Sequence, residues 1–184
     1  MSVKPLIDHL AIAGVGLIGG SLAAALKRAG EVGRITGLGR SRATLEEARS
    51  LGLIDRVAES PADIADAGVV VLAMPVAQTE SVLMQLAPHL ARDVVLTDAG
   101  STKSDVIAAA RRVPALNLAR FVPGHPIAGA ESNGPRAARA DLYAGKNVVL
   151  CPSEETDAQA LDLVSRMWQA AGASVARMDA ARHD

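Results

Sequence analysis

Aromatic residues are almost missing from this chain: one Trp, one Tyr and one Phe in 184 residues, 2% of the total. A core must therefore be built from the Ala, Val, Leu and Ile that carry most of the 49% hydrophobic fraction, which suits aliphatic strands layered with alanine-faced helices. Cysteine occurs once, at Cys151, so no internal disulfide can form and a reducing compartment is favoured. At the end of an apolar run, Cys151 reads as a small buried hydrophobe. Neither sign of charge is in excess: 19 Lys and Arg face 20 Asp and Glu, spread along the chain, for a net charge of −1. That balance argues against a nucleic-acid partner. There is no apolar run of about 18 residues, and residues 1–5 lack the apolar stretch of a signal peptide, so the expectation is a soluble cytoplasmic protein with no membrane partner. Repeats and low-complexity tracts are missing too. The length fits one large domain able to bury about 70% of its unfolded surface.

What is present is organised around residues 11–21, AIAGVGLIGGS. An apolar run from Leu6 to Ala13 closes on Gly14-x-Gly16-x-x-Gly19, and a helix-compatible run continues to Ala29 and stops at Gly30. Strand, glycine turn and helix in this order form a dinucleotide-binding arrangement, in which Gly14 permits the turn, Gly16 admits the pyrophosphate and Gly19 lets helix pack on strand. The cofactor's phosphates would lie on free N–H groups of Gly16, Leu17, Ile18 and Gly19 at the positive end of the helix dipole.

A second strand is expected over residues 34–39, then a helix over 43–50 ended by Gly52. At the tip of that strand an NAD-selective fold usually places a carboxylate for the ribose 2′-hydroxyl. This chain has Arg40-Ser41-Arg42, two guanidinium groups flanking a hydroxyl, which suit a 2′-phosphate. The expected cofactor is NADP, with NAD as the alternative.

Later strand ends carry the remaining candidates, because ligands lie beyond the carboxyl ends of the strands in a doubly wound sheet. Residues 69–73 form a continuous apolar run, as for a strand covered on both faces. The run ends at Ala73-Met74-Pro75, expected to line the cofactor, with a helix opened by Pro75 and running to about Leu90. A strand over 94–97 delivers Asp98-Ala-Gly-Ser-Thr-Lys-Ser-Asp105. There Ser101 or Thr102 can cap the next helix, Thr102 and Asp105 have capping-box spacing, and Ser101 is a candidate to face ligand. A strand over 121–124 leads into a glycine-rich loop, residues 125–135, holding His125 and Glu131; such loops in compact domains are usually functional. His9, His89 and His183 lack a supporting constellation and read as structural or solvent-facing. Residues 147–150 and 174–178 are expected strands. Between them a helix over 157–171, stopped by Gly172, buries Met167 and Trp168 in the core.

Taken together, GVGLIGGS (14–21), DAGSTKSDV (98–106), GHPIAGAESNGP (124–135) and LYAGKNVVLCP (142–152) closely resemble the prephenate/arogenate dehydrogenase family of tyrosine biosynthesis, over the whole chain. The resemblance implies a Rossmann-type, doubly wound, mostly parallel α/β sheet over 1–178. It implies oxidative decarboxylation of a cyclohexadienyl substrate, arogenate or prephenate, with hydride passing to the nicotinamide. It also implies His125 as the catalytic histidine, Ser101 as its hydroxyl partner, and Glu131 with Ser132 as a substrate-binding rim. Ser132-Asn133 departs from the Lys-Ser often found there. Family members continue into a helical domain that forms a homodimer and supplies cationic residues to the substrate. Residues 179–184 would begin the linker to it, so this chain is expected to be the nucleotide-binding part and to catalyse poorly alone. A β-hydroxyacid-type dehydrogenase or imine reductase, with a lysine base on a later helical domain, is argued against by the histidine of HPIAG. The remaining alternative is a nucleotide-binding module without turnover.

Overall fold

A computed structural model describes residues 4–184. Alternation along the apolar runs builds the sheet from both sides. In β1 (Ile7–Ala13), Leu10 and Ile12 enter one apolar layer while Ala11 and Ala13 enter the other. In β4 (Val69–Leu72), Val69 and Val71 divide from Val70 and Leu72 in the same way. Strands buried on both faces belong to parallel sheets whose crossovers are helices. With β2 (Val32–Leu38), β3 (Arg56–Val57), β5 (Val95–Asp98) and β6 (Phe121–Val122), they form a six-stranded sheet in the order β3-β2-β1-β4-β5-β6, every pairing parallel. The order reverses between β1 and β4, where a crevice opens at the strands' carboxyl ends.

One face is covered by α1 (Leu17–Ala29), α2 (Arg42–Ser50) and α5 (Ala158–Ala170), the other by α3 (Thr79–Leu86) and α4 (Lys103–Arg111). Gly30, at φ 72°, ends α1 in a left-handed turn, a conformation that costs a side-chain-bearing residue about 1 kcal/mol or more. The scarce aromatics are concentrated on the α1 and α5 side. Trp168 and Tyr143 are fully buried with rings 5.1 Å apart and nearly perpendicular, and the Tyr143 hydroxyl donates to the Ile18 carbonyl at 2.6 Å. Met167 is buried beside Trp168, and Cys151 is also buried, its thiol pushed up to about 11 by burial. His9 is a satisfied core histidine, bonded to Asp66 through Nδ1 and to Thr36 through Nε2, each at 2.9 Å; His89 is exposed.

A second, three-stranded sheet stands beyond β6. Its strands are β7 (Gly124–Pro126), β8 (Asn147–Leu150) and β9 (Ser174–Arg177), with β8 antiparallel to β7 and parallel to β9. The single strand expected over 121–124 is thus broken at Pro123, which has no N–H to continue a ladder. Pro61–Ile64 forms a 3-10 turn before β4, and one expected helix is shorter than its pattern suggests. The helix expected from Pro75 to Leu90 is a 3-10 turn over Val76–Gln78, then α3, then a second 3-10 turn over Ala87–His89 around Pro88. Residues 179–184 fold back as α6 (Ala180–His183), capped by Asp179. Among the described residues no helix is long and apolar enough to cross a membrane.

Candidate active site

The crevice above β1 and β4 has a volume of about 660 Å³, in the range of small-molecule sites. Gly14, Gly16, Arg40, Ser41, Ala73, Met74 and Pro75 all line it; Leu17, Ile18, Gly19 and Arg42 do not. Leu17 and Gly19 are buried, and Ile18 is half-buried against the core. The three glycines divide as their proposed tasks require. A Cβ on Gly14, at φ 95°, would stand 2.6 Å from the Ala73 carbonyl oxygen, and one on Gly19 would stand 2.2 Å from the Gly14 oxygen. A Cβ on Gly16 would meet nothing within 4 Å, so the open space of the crevice begins at this backbone. No side chain caps α1 at Gly16, so its first N–H groups lack a side-chain partner and present donors and the positive dipole end to an anion. These features fit a dinucleotide pyrophosphate.

At the tip of β2, Arg40 reaches the crevice and makes no ion pair among the described residues. Arg42 is occupied: it holds Glu59 at 2.5 Å and Glu46 at 3.1 Å. Glu59, from the segment after β3, itself lines the crevice, and Arg42 keeps its carboxyl below the usual range. Composition did not reveal this pairing, because Glu59 lies far along the chain from Arg42. Ser41 is the cap of α2, its Oγ accepting from Thr44 N at 3.2 Å.

The segment after β5 is pinned by a buried ion pair. Lys103, fully buried, donates to Asp98 and, at 2.7 Å, to the Gly124 carbonyl; Asp98 also accepts from Gly100 N at 2.8 Å and Gly124 N at 3.0 Å. Burial pushes the Asp98 carboxyl up, against the pull of the Lys103 ammonium and those N–H donors. A buried charge needs such complete partnering. The cluster ties the end of β5 to the start of β7 and so sets where His125 emerges. Ser101 is exposed in a depression that shares Pro75 with the crevice, and its hydroxyl makes no hydrogen bond to His125. The expected capping of α4 is corrected. Thr102 stands at the cap position but its Oγ1 turns to Asp105 at 3.1 Å, while the Lys103 and Ser104 N–H groups are both bound at 2.8 Å by the Asp184 carboxylate.

The ring of His125 is half-buried, and its Nδ1 lies 2.9 Å from Nε2 of His183. Its Nε2 has no hydrogen-bond partner among the described residues and is not among the atoms closed off from solvent. Burial holds the imidazole below its ordinary pKa, aided by His183 and the Lys103 charge and opposed by Asp184. A neutral ring with one free nitrogen is a proton acceptor. His183, set aside on sequence grounds, is thus a partner of this ring; its side chain is only 6% exposed. Nothing local in ARHD announced that contact. Glu131 and Ser132 lie in an exposed stretch and are not brought against His125 by any hydrogen bond.

The fold and the crevice together define a Rossmann-type nucleotide-binding domain with a histidine beyond the sheet's carboxyl edge. Residues 22–177 match the family described as prephenate dehydrogenase, nucleotide-binding domain, and the chain belongs to that family. It is 36% identical over 177 residues to a cyclohexadienyl dehydrogenase of Zymomonas mobilis, covering 96% of this chain and 60% of the relative. Among solved structures it resembles prephenate dehydrogenase from Aquifex aeolicus in complex with hydroxyphenyl propionate and NAD+, at TM-score 0.89 and 35% identity, covering 100% of this chain and 63% of that one. It is also similar to Synechocystis arogenate dehydrogenase, at TM-score 0.86 and 28% identity, covering 95% and 61%. The chain therefore spans about 60% of the length of these relatives.

Proposed function

We propose that this chain is the nucleotide-binding and base-bearing part of a dehydrogenase that oxidatively decarboxylates arogenate or prephenate, with NADP as the hydride acceptor. The observation that carries the reading is the state of His125: Nδ1 engaged, Nε2 without a partner among the described residues, and the imidazole held below its ordinary pKa. The substrate loses hydride from the ring carbon that bears its hydroxyl, so a base must take the hydroxyl proton. Nε2 of His125 is assigned that proton. Loss of the ring carboxylate as CO2 then leaves an aromatic product, and this makes the step irreversible. When bound, the oxidised nicotinamide supplies the acceptor for the hydride. Gly14, Gly16, Leu17, Ile18, Ala73, Met74 and Pro75 would hold the dinucleotide, with Gly19 packing helix on strand beneath it; Ser101, Glu131 and Ser132 would meet the substrate.

NADP is preferred because Arg40, which makes no ion pair among the described residues, stands on the crevice wall beside the Ser41 hydroxyl, at the position where NAD-selective folds carry a carboxylate. One observation favours NAD as the second reading: Glu59 lies on the same wall and consumes Arg42. Residues 1–178 are read as the nucleotide-binding domain and 179–184 as the approach to a further domain, in a cytoplasmic homodimer. The test is formation of NADPH and of NADH from arogenate and from prephenate, using this chain and a longer version carrying the remainder of the relatives' length. Turnover of neither substrate by the longer version would overturn the reading and leave a nucleotide-binding module.

A further inference from the structure

Asp184, His183 and His125 form a continuous chain of hydrogen bonds from the start of α4 to the ring assigned as base. The Asp184 carboxylate is fixed by two backbone donors, Lys103 N to Oδ1 and Ser104 N to Oδ2, both at 2.8 Å. Oδ1 also lies 2.8 Å from His183 Nδ1, and His183 Nε2 lies 2.9 Å from His125 Nδ1. The two rings meet edge to face, with centroids 5.1 Å apart at 70°.

The donors and acceptors in this chain follow from chemistry. An ionised carboxylate only accepts, so the proton between Asp184 and His183 sits on His183 Nδ1. A neutral His183 then has only a lone pair on Nε2, and His125 must supply the proton between the rings from its own Nδ1. The lone pair of a neutral His125 is thereby confined to Nε2, the nitrogen without a partner among the described residues. Ser101, which makes no hydrogen bond to the ring, does not do this.

We propose that His183 and Asp184 are positioning residues for His125, setting its Nδ1–H tautomer and its ring orientation so that Nε2 is the proton-accepting atom. The inference rests on the reading of His125 as the base. It gives α6 a function: the last turn of the described chain carries the orienting imidazole and simultaneously caps α4. Orientation of a functional histidine through its second nitrogen is a general device for fixing its tautomer.

The test uses this chain labelled with 15N in histidine, with two-bond 1H–15N spectra recorded near pH 8, roughly 1.5 units above the free histidine pKa. The parent chain is expected to show His125 with Nδ1 protonated and Nε2 bare. In His183→Phe the ratio of that tautomer to the Nε2–H form should fall about tenfold, the size of one ordinary hydrogen bond. In His183→Gln the side-chain carbonyl can accept from Nδ1–H, so the parent tautomer should return. His125 in the Nε2–H form in the parent chain, or an unchanged ratio in His183→Phe, overturns the proposal. If His183→Phe fails to fold, the parent spectrum still decides. A chain with the expected tautomers whose longer version turns over neither substrate would refute the dehydrogenase reading alone, because the spectra need no turnover.

Discussion

His125 is a half-buried ring whose two nitrogens have different surroundings, and the proposed base role draws on that asymmetry. Replacing it with Asn keeps a hydrogen-bonding side chain but removes the titrating nitrogen. His125→Asn in the longer version should lower kcat by about 10² to 10⁴, the usual share of a general base, with the cofactor Kd unchanged. Stopped-flow turnover and equilibrium cofactor titration on the same preparation check both halves. The pH dependence follows from direction alone. Burial, then His183 and Lys103, hold the His125 pKa below 6.5, and the proposed base would act when neutral. The acid limb of kcat/KM is therefore expected below pH 6.5, with the plateau beginning earlier than for a free imidazole. The same sign applies to stability. This group's contribution is whole above pH 6.5 and is lost as pH falls from 6.5 through the folded value, because the unfolded state binds the proton more readily there. A limb above pH 6.5 would contradict the assignment.

At the level of elements, the turn between β1 and α1 separates packing from binding. Gly19 is closed in by the Gly14 oxygen, so a methyl group there forces helix away from strand. Gly16 opens on empty crevice. Gly19→Ala should cost about 1–3 kcal/mol of stability through overpacking. Gly16→Ala should change stability by no more than about 0.5 kcal/mol while weakening cofactor binding by tenfold or more, since its methyl occupies space the pyrophosphate needs. Urea denaturation paired with cofactor titration distinguishes the two, and equal stability losses would show that the glycines share one role. The buried pair of Asp98 and Lys103 works at the same scale. It joins β5, α4 and β7 through four hydrogen bonds, so the exit of His125 is built from residues that precede it by more than twenty positions.

For the molecule as a whole, the choice of dinucleotide turns on Arg40 and Glu59, which share the crevice wall. Arg40→Ala should weaken NADP by about tenfold or more, the loss of a charge-assisted hydrogen bond, and leave NAD within about twofold of its parent value, since each factor of ten corresponds to about 1.4 kcal/mol. Isothermal titration with both cofactors checks this; tighter NAD than NADP in the parent chain would favour the reading based on Glu59. Much of this architecture was legible beforehand. Strands at 7–13, 69–72 and 95–98 formed close to where they were expected, and Gly30 ended α1, because strand burial and left-handed turns are written in local residue type. The break at Pro123 was legible in principle but hidden by the apolar residues around it. The contacts of His183, Asp184 and Glu59 were not legible, since each joins residues far apart in the chain.

The order of residues by itself determined the parallel α/β sheet, the glycine turn at its centre and the candidacy of His125, because periodicity, turn chemistry and motif spacing act over a few residues. Only the tertiary structure decided which nitrogen of that ring is free, that Arg42 is occupied while Arg40 is not, and that the cap of α4 comes from Asp184. Those outcomes depend on which distant groups satisfy one another's hydrogen bonds and charges once the layers close, and no local pattern encodes that choice.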